Sequence, residues 1–250
     1  MSTSDRIVRL LGKNRLGYAP YDAVAAQYDS SQANARCKAE AAELRPLLCR
    51  LLIPRYATER QRRVLDVGCG TGFLLDQVPL SAYQYVGIDP SYEMLQLARQ
   101  KWPGYPFRQT AMEDLEGVCE CCCEVAVCLR AFNYCSLERT ALMTIRRVLV
   151  RHGKILLLAY NGRRRHPCKP IWPAGVAEPV RFAYSKQSLV TLLSDIFVKV
   201  SVQAFSSVLL DRIPLRAPRW VWRIAMVLDR LVCRVRPGLA CYLIATGEKE

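Results

Sequence analysis

The sequence predicts an α/β fold: a doubly wound, mostly parallel sheet of seven strands, with a helical insert or lid before the last strand. Three observations carry this expectation. Apolar runs of strand length alternate with runs of helical period along most of the chain, the pattern that puts helices on both faces of a parallel sheet. The first of these strands passes through a glycine-rich turn into a helix, at Val64-Leu65-Asp66-Val67-Gly68-Cys69-Gly70-Thr71-Gly72-Phe73. A length of 250 residues suits one large domain with an insertion better than two independent domains.

The elements follow in order. The first 20 residues read as a basic arm, with Arg6, Arg9 and Lys13 among them. Residues 33–52 have a helical pattern, with Ala35, Ala39, Ala42, Leu48 and Leu52 among the apolar positions, and Pro54 ends it. Residues 63–67 are a strand, 71–77 a short helix and 85–89 the second strand. Residues 91–101 are a helix, with Ser91 as a natural N-cap and Glu93 in its first turn. A short strand at 106–110, a Val-rich strand at 124–129 and a helix at 137–150 come next. Residues 154–160 are the most apolar strand. After it come a helix at 186–195, a strand at 197–204, a helix at 219–235 and a final strand at 240–246. In such a sheet a ligand binds beyond the carboxyl ends of the strands, where strand order reverses.

Composition excludes several classes. Hydrophobic residues at 51% and charged residues at 23% exclude a mostly disordered chain. No apolar run approaches the roughly 20 residues of a spanning helix, and the N-terminus lacks a secretory leader's apolar core. A cytoplasmic protein is expected. The formal net charge is +14, and its excess is uneven. Residues 1–150 hold 19 basic and 16 acidic residues, whereas residues 151–250 hold 17 and 6. Of the twelve cysteines, the densest group is Cys119, Cys121, Cys122 and Cys123, followed by Cys128 and Cys135. No second C-x-x-C or His pair completes a zinc site, so no metal is expected.

The glycine turn narrows the ligand. A dinucleotide fingerprint would read G-x-G-x-x-G, but Phe73 stands at the third glycine position. The Gly-Lys-Ser/Thr of a phosphate-cradling loop is absent. Asp66, just before the turn, is suited to ordering the loop or holding a cationic amine. Asp89 lies 21 residues after Gly68, at the tip of the second strand, where a carboxylate can accept hydrogen bonds from both ribose hydroxyls. The turn therefore suits a nucleoside without phosphates.

With these residues in place, the sequence resembles the class I S-adenosylmethionine-dependent methyltransferases of small-molecule type. The resemblance runs from about Tyr21 to the end. Tyr21-Asp22-x-x-Ala25-x-x-Tyr28-Asp29 resembles the segment preceding the core in many members, and Ser91-Tyr92-Glu93-Met94-Leu95-x-x-Ala98 the helix after the second strand. Ala111-Met112-Glu113-Asp114-Leu115 resembles the adenine-side loop, and Arg147-Val148-Leu149-x-x-x-Gly153-Lys154 the turn before the fifth strand.

The resemblance implies a Rossmann-like sheet and S-adenosyl-L-methionine as cofactor. It implies an arm and helix over residues 1–55 that cover the cofactor site. Residues 56–250 would be the core, with a substrate-side loop at 161–185 and a helical insert at 205–238. It assigns Gly68 and Gly70 to the cofactor's amino acid part, Asp66 to the loop and amino group, and Asp89 to the ribose. Pro90 and Met94 would line the nucleoside, with Met112 and Glu113 flanking adenine. Leu129 and Arg130 would close the methionine end, and Tyr28 would cover the cofactor from the N-terminal helix. Ala111 stands where members often have Asp, and His152-Gly153 replaces a pair of glycines.

For the chemistry, alignment of a nucleophile with the donor can supply roughly 7–11 kcal/mol. A general base is needed only for a protonated nucleophile. His152 falls at the end of the sheet away from the site and reads as structural. The candidates near the reacting centre are Asn133, Tyr134 and His166. The acceptor is expected to be a small molecule, such as a natural product or a quinone- or lipid-like metabolite. RNA or protein methylation through the basic C-terminal half is a second reading, and a non-catalytic S-adenosylmethionine-binding protein a third. Arg219, Arg223, Arg230 and Arg234 share one face of the helix at 219–235. Residues 218–236 read as a lid with an arginine face in water, with a peripheral membrane contact, a lipid-like substrate or, less favoured, stacking on nucleic acid bases as the other readings.

Overall fold

The structure is a computed structural model and describes residues 19–54, 60–78, 83–115, 117–162, 181–182, 184–214 and 216–250. Two helices, α1 (Ala19–Gln32) and α2 (Ala35–Leu52), precede the sheet. Asn34 separates them: its side chain accepts from the Cys37 amide and caps α2. The remaining elements are β1 (Arg62–Val67), α3 (Phe73–Gln77), β2 (Tyr83–Asp89), α4 (Tyr92–Lys101), β3 (Phe107–Gln109) and β4 (Cys123–Leu129). After them come α5 (Glu138–Val148), β5 (Leu149–Tyr160), α6 (Lys186–Ser194), β6 (Val198–Ser207), α7 (Arg219–Val235) and β7 (Ala240–Glu248).

The seven strands lie in the order β3-β2-β1-β4-β5-β7-β6. β7 runs antiparallel to both neighbours, and the other pairings are parallel. The chain leaves β1 toward β2 on one side and resumes at β4 on the other, so strand order reverses between β1 and β4.

Strand alternation divides the core into two layers. Val64, Val125, Val127, Leu156 and Leu158 face Leu44, Leu48, Leu74 and Leu95, from α2, α3 and α4. Leu65, Val67, Ala126, Cys128 and Leu157 face the other way, onto Leu142 and Ile145 of α5 and Leu189 and Leu193 of α6. Each central strand is thus apolar on both faces, which is why its sequence reads as an unbroken apolar run.

Three elements differ from expectation. α1 begins at Ala19 as a helix separate from α2, where the periodicity alone gives a helix only from residue 33. β5 starts at Leu149 rather than 154, because the β4–β5 register shifts between Cys123 and Val125. His152 sits in that irregular stretch with φ +60°, and its amide donates to the Lys249 carbonyl at 2.9 Å. β6 continues to Ser207 and pairs there with Ala240. The arm at 1–18, His166 and most of the segment 161–185 lie outside the described residues. No helix among the described residues is long and apolar enough to cross a membrane.

Candidate functional site

A cleft opens at the carboxyl edge of β1, β2 and β4 and encloses about 550 Å³. Gly68, Gly70, Asp89, Pro90, Met94 and Met112 line it. Tyr28, Leu129, Arg130 and Tyr134 line its other side. An adjoining hollow shares Tyr28, Gly68, Gly70, Leu129 and Arg130, and reaches Asp66.

The glycine turn makes this cleft. The Gly68 and Cys69 amides both donate to the Ile88 carbonyl, at 2.8 and 2.9 Å, folding the turn back over the end of β2. Gly68 and Gly70 have φ of +71° and +54°, the left-handed region that glycine occupies without a steric cost. A Cβ on Gly68 would collide with that of Ala131. A Cβ on Gly70 would meet nothing within 4 Å, so it would project into the cleft that Gly70 lines.

Asp89 ends β2 beneath the turn. Its carboxylate accepts from the Gly70 amide at 2.9 Å and from the Ser91 amide at 2.9 Å. Desolvation in the cleft pushes its pKa up from 3.8 to about 6, against the pull of those two amides. Asp66 is buried and accepts from the Tyr85 hydroxyl at 3.0 Å. Burial drives it up to about 7; the Tyr85 hydrogen bond opposes that and the nearby Asp89 charge adds to it.

Helix α1 roofs the cleft. Asp22 accepts from the Ser91 hydroxyl at 2.5 Å and from the Glu93 amide at 3.1 Å, so it completes the N-cap of α4. Two helical turns later, Asp29 accepts from the Thr71 hydroxyl at 2.5 Å. These two contacts clasp α1 to the glycine turn and to the start of α4. Its Tyr21 meets Tyr134 edge to face at 5.3 Å. Arg130 holds a left-handed backbone, φ +65°, and its guanidinium stands 5.3 Å from the Phe73 ring centre and 5.6 Å from that of Tyr242. Burial pushes the phenol of Tyr28 up to about 12 and that of Tyr134 above its usual range.

Ten of the eleven expected cofactor residues line the cleft or its hollow: Tyr28, Asp66, Gly68, Gly70, Asp89, Pro90, Met94, Met112, Leu129 and Arg130. Glu113 does not. Its carboxylate accepts from the Cys135 thiol at 3.2 Å, and that thiol belongs to the core on the α5 side of the sheet. Asn133 also stays outside the lining of the cleft. It is fully buried, with its side-chain oxygen accepting from the Tyr160 amide at 2.7 Å and its nitrogen donating to the Phe182 carbonyl at 2.7 Å. It ties the end of β4 to the end of β5 and is a positioning residue. Tyr134 does reach the cleft.

Tyr21, Ser91 and Ala131 also line the cleft and are not among the site residues expected from sequence. Tyr21, Ala25 and Tyr28 recur at helical spacing, and the two aspartates lie seven residues apart. That spacing was the available signal. Among the described residues, no group of three or more His, Cys, Asp or Glu could hold a metal ion.

The adenosyl group of S-adenosylmethionine can be tested against these side chains. The cleft offers one carboxylate for a diol, bare glycine backbone for close approach, apolar walls from Met94 and Met112, and no phosphate cradle. The donor set fits.

Comparison with known proteins agrees. Residues 65–157 match a family described as "Methyltransferase domain". Trans-aconitate 2-methyltransferase of Acidovorax sp. (strain JS42) is 39% identical over 67 residues, covering 25% of this chain and 25% of that protein. The chain thus matches about a quarter of the length of that curated relative. A solved S-adenosylmethionine-dependent methyltransferase from Thermotoga maritima superposes with a TM-score of 0.63 at 15% identity, over 93% of this chain and 100% of that one. The [4+2]-cyclase SpnF shares the fold too, with a TM-score of 0.61 and 17% identity over 94% and 96% of the two chains. Residues 65–157 match a methyltransferase domain, and the chain as a whole has the fold of solved S-adenosylmethionine-dependent methyltransferases.

Proposed function

We propose that the chain transfers a methyl group from S-adenosylmethionine to a small-molecule acceptor. The observation that carries this reading is the Asp89 carboxylate, anchored on the Gly70 and Ser91 amides at the floor of a cleft without a phosphate cradle. In this reading Asp89 holds the ribose, Met94, Pro90 and Met112 flank the nucleoside, and the backbone at Gly68 and Gly70 receives the amino acid part. Asp66 and Arg130 serve its charged end. When bound, the cofactor supplies an electrophilic methyl group on a sulfonium sulfur.

The chain's own residues then align the acceptor and exclude water. Helix α1, clasped through Asp22 and Asp29, closes the cleft, and the Tyr21, Tyr28 and Tyr134 rings form its roof. Tyr134 is a poor base near neutral pH, because burial raises its phenol. Asp66 and Asp89 have roles with the cofactor. His166 lies outside the described residues; on the described residues alone, the acceptor atom in this reading is one already unprotonated at neutral pH, such as a carboxylate, an acidic phenol or an unprotonated amine. The trans-aconitate named in the relative belongs to that class and supports the reading, as does the cationic Arg130 at the cleft. Because the same fold serves a cyclase, fold alone does not fix the chemistry.

The test is mass spectrometry of small molecules extracted from the purified protein, followed by incubation with methyl-labelled S-adenosylmethionine and candidate acids. Co-purified S-adenosylmethionine or its demethylated product, with label passing to an acid, is expected. A pyrophosphate-bearing coenzyme in the extract would overturn the reading.

A further inference from the structure

Helix α7 is amphipathic in an inverted sense. It packs on β6 and α2 through Trp222, Met226, Asp229 and Cys233, which are buried. Directly opposite, Trp220, Ile224, Val227, Leu228, Leu231 and Val235 stand 54–78% exposed. With about 100° per residue, these six side chains form one continuous apolar strip along the helix. Arg219, Arg223, Arg230 and Arg234 run along one flank of that strip. The helix is about 25 Å long.

A buried polar network fixes this orientation. Asp229 accepts from the Ser207 amide at 3.1 Å and from its hydroxyl. Beside it, Arg36 of α2 pairs with Glu40 at 3.0 Å and donates to Ser206 at 3.3 Å, and it also pairs with Asp211. A buried carboxylate paired in this way cannot rotate outward without leaving its partners unsatisfied. The apolar strip therefore faces out because the polar residue is held in. Exposed apolar strips of this size mark interaction surfaces.

We propose that α7 docks the protein on an anionic lipid bilayer, lying in the plane of the interface. Charge complementarity selects this occupant. The one acid of the helix, Asp229, is buried, so the flank beside the strip presents arginines only. Of these, Arg230 pairs with Glu43, Nε to Oε2 at 2.9 Å. The insert carrying α7 also contributes Arg212, Arg216 and Arg236. An anionic bilayer answers both features at once, with headgroup phosphates for the arginine flank and acyl chains for the strip. The helix lies on the bilayer and does not span it. The insert leaves β6 at Ser207 and returns to β7 at Ala240, which pair with each other. β6 runs parallel to β5, so both ends of the insert lie at the sheet edge where the cleft opens. Docking thus brings the cleft's edge toward the membrane. This inference stands independently of the methyl-transfer reading.

The test is co-sedimentation of the full-length protein with phosphatidylcholine vesicles, alone or with about one third phosphatidylglycerol. The protein is expected to pellet with the anionic vesicles, to stay in solution with the neutral ones, and to be released as salt rises. The triple variant Trp220→Ser, Leu228→Ser, Leu231→Ser and the triple variant Arg219→Glu, Arg223→Glu, Arg234→Glu are each expected to lower partitioning about tenfold or more. Trp220→Ser alone, a milder change, is expected to lower it about threefold. Circular dichroism melts reporting a folded chain qualify each variant. Failure of the folded wild type to pellet with anionic vesicles overturns the proposal, and so does undiminished pelleting of the apolar variants. A wild-type dimer in solution that the apolar triple variant dissolves, or salt-sensitive capture by RNA without capture by vesicles, also overturns it.

Discussion

Asp66 shows how one residue's environment sets its chemistry. It occupies a strand position of the same parity as Val64, so the pleat turns it into the apolar layer under α2 and α4. Burial there raises its pKa from 3.8 to about 7. The folded chain therefore binds more protons than the unfolded one between those values. The stability this group contributes is present at low pH and is lost as pH rises through about 4 to 7. Asp66→Asn cannot ionise and keeps an acceptor for Tyr85. It is expected to melt about 4 °C or more above the wild type at pH 8, with the gap closing toward pH 4, as followed by circular dichroism. Parallel melting curves for the two proteins across that range would refute the assignment.

At the scale of elements, α1 acts as a clasp and not as an appended arm. Its two aspartates engage the N-cap of α4 and the Thr71 hydroxyl within the glycine turn. Charged hydrogen bonds of this kind contribute about 1.5–3 kcal/mol when well formed. Asp22→Ala and Asp29→Ala are each expected to raise the dissociation constant of S-adenosylmethionine by about tenfold. Their effect should fall on the Michaelis constant for the cofactor and leave the maximal rate nearly unchanged, as steady-state kinetics would report. A loss confined to the maximal rate would place these residues in the chemistry instead.

The strands and the glycine turn were legible in sequence because their signal is local: apolar runs, glycines at left-handed positions, and a carboxylate at the tip of β2. The helix at 219–235 was read at its observed bounds for the same reason. Glu113 and Asn133 were not legible. Their sequence neighbours belong to the site, but their side chains turn to partners distant in sequence, Cys135 in one case and Tyr160 and Phe182 in the other. The outward direction of the apolar strip on α7 was equally hidden. Periodicity gives two faces to a helix, but contacts distant in sequence, Asp229 with Ser207 and Trp222 and Met226 with Leu210, accompany the burial of one of them.

Across the whole molecule, the two halves of the sheet divide the work. The order β3-β2-β1-β4 builds the cleft at the crossover. The other edge, β5-β7-β6, carries the basic insert and most of the charge excess. Both proposed functions draw on the same architecture, since the carboxyl edge of the sheet carries the cleft and both ends of the insert. The central claim is that a bare adenosyl group with a charged sulfur binds where β1 and β2 hand over to their helices. Isothermal titration calorimetry of S-adenosylmethionine into the wild type and Asp89→Ala tests it most directly. One site on the wild type and an affinity at least about a hundredfold weaker in the variant, roughly 2.7 kcal/mol, is the predicted result. Equal affinity in the two proteins would contradict it.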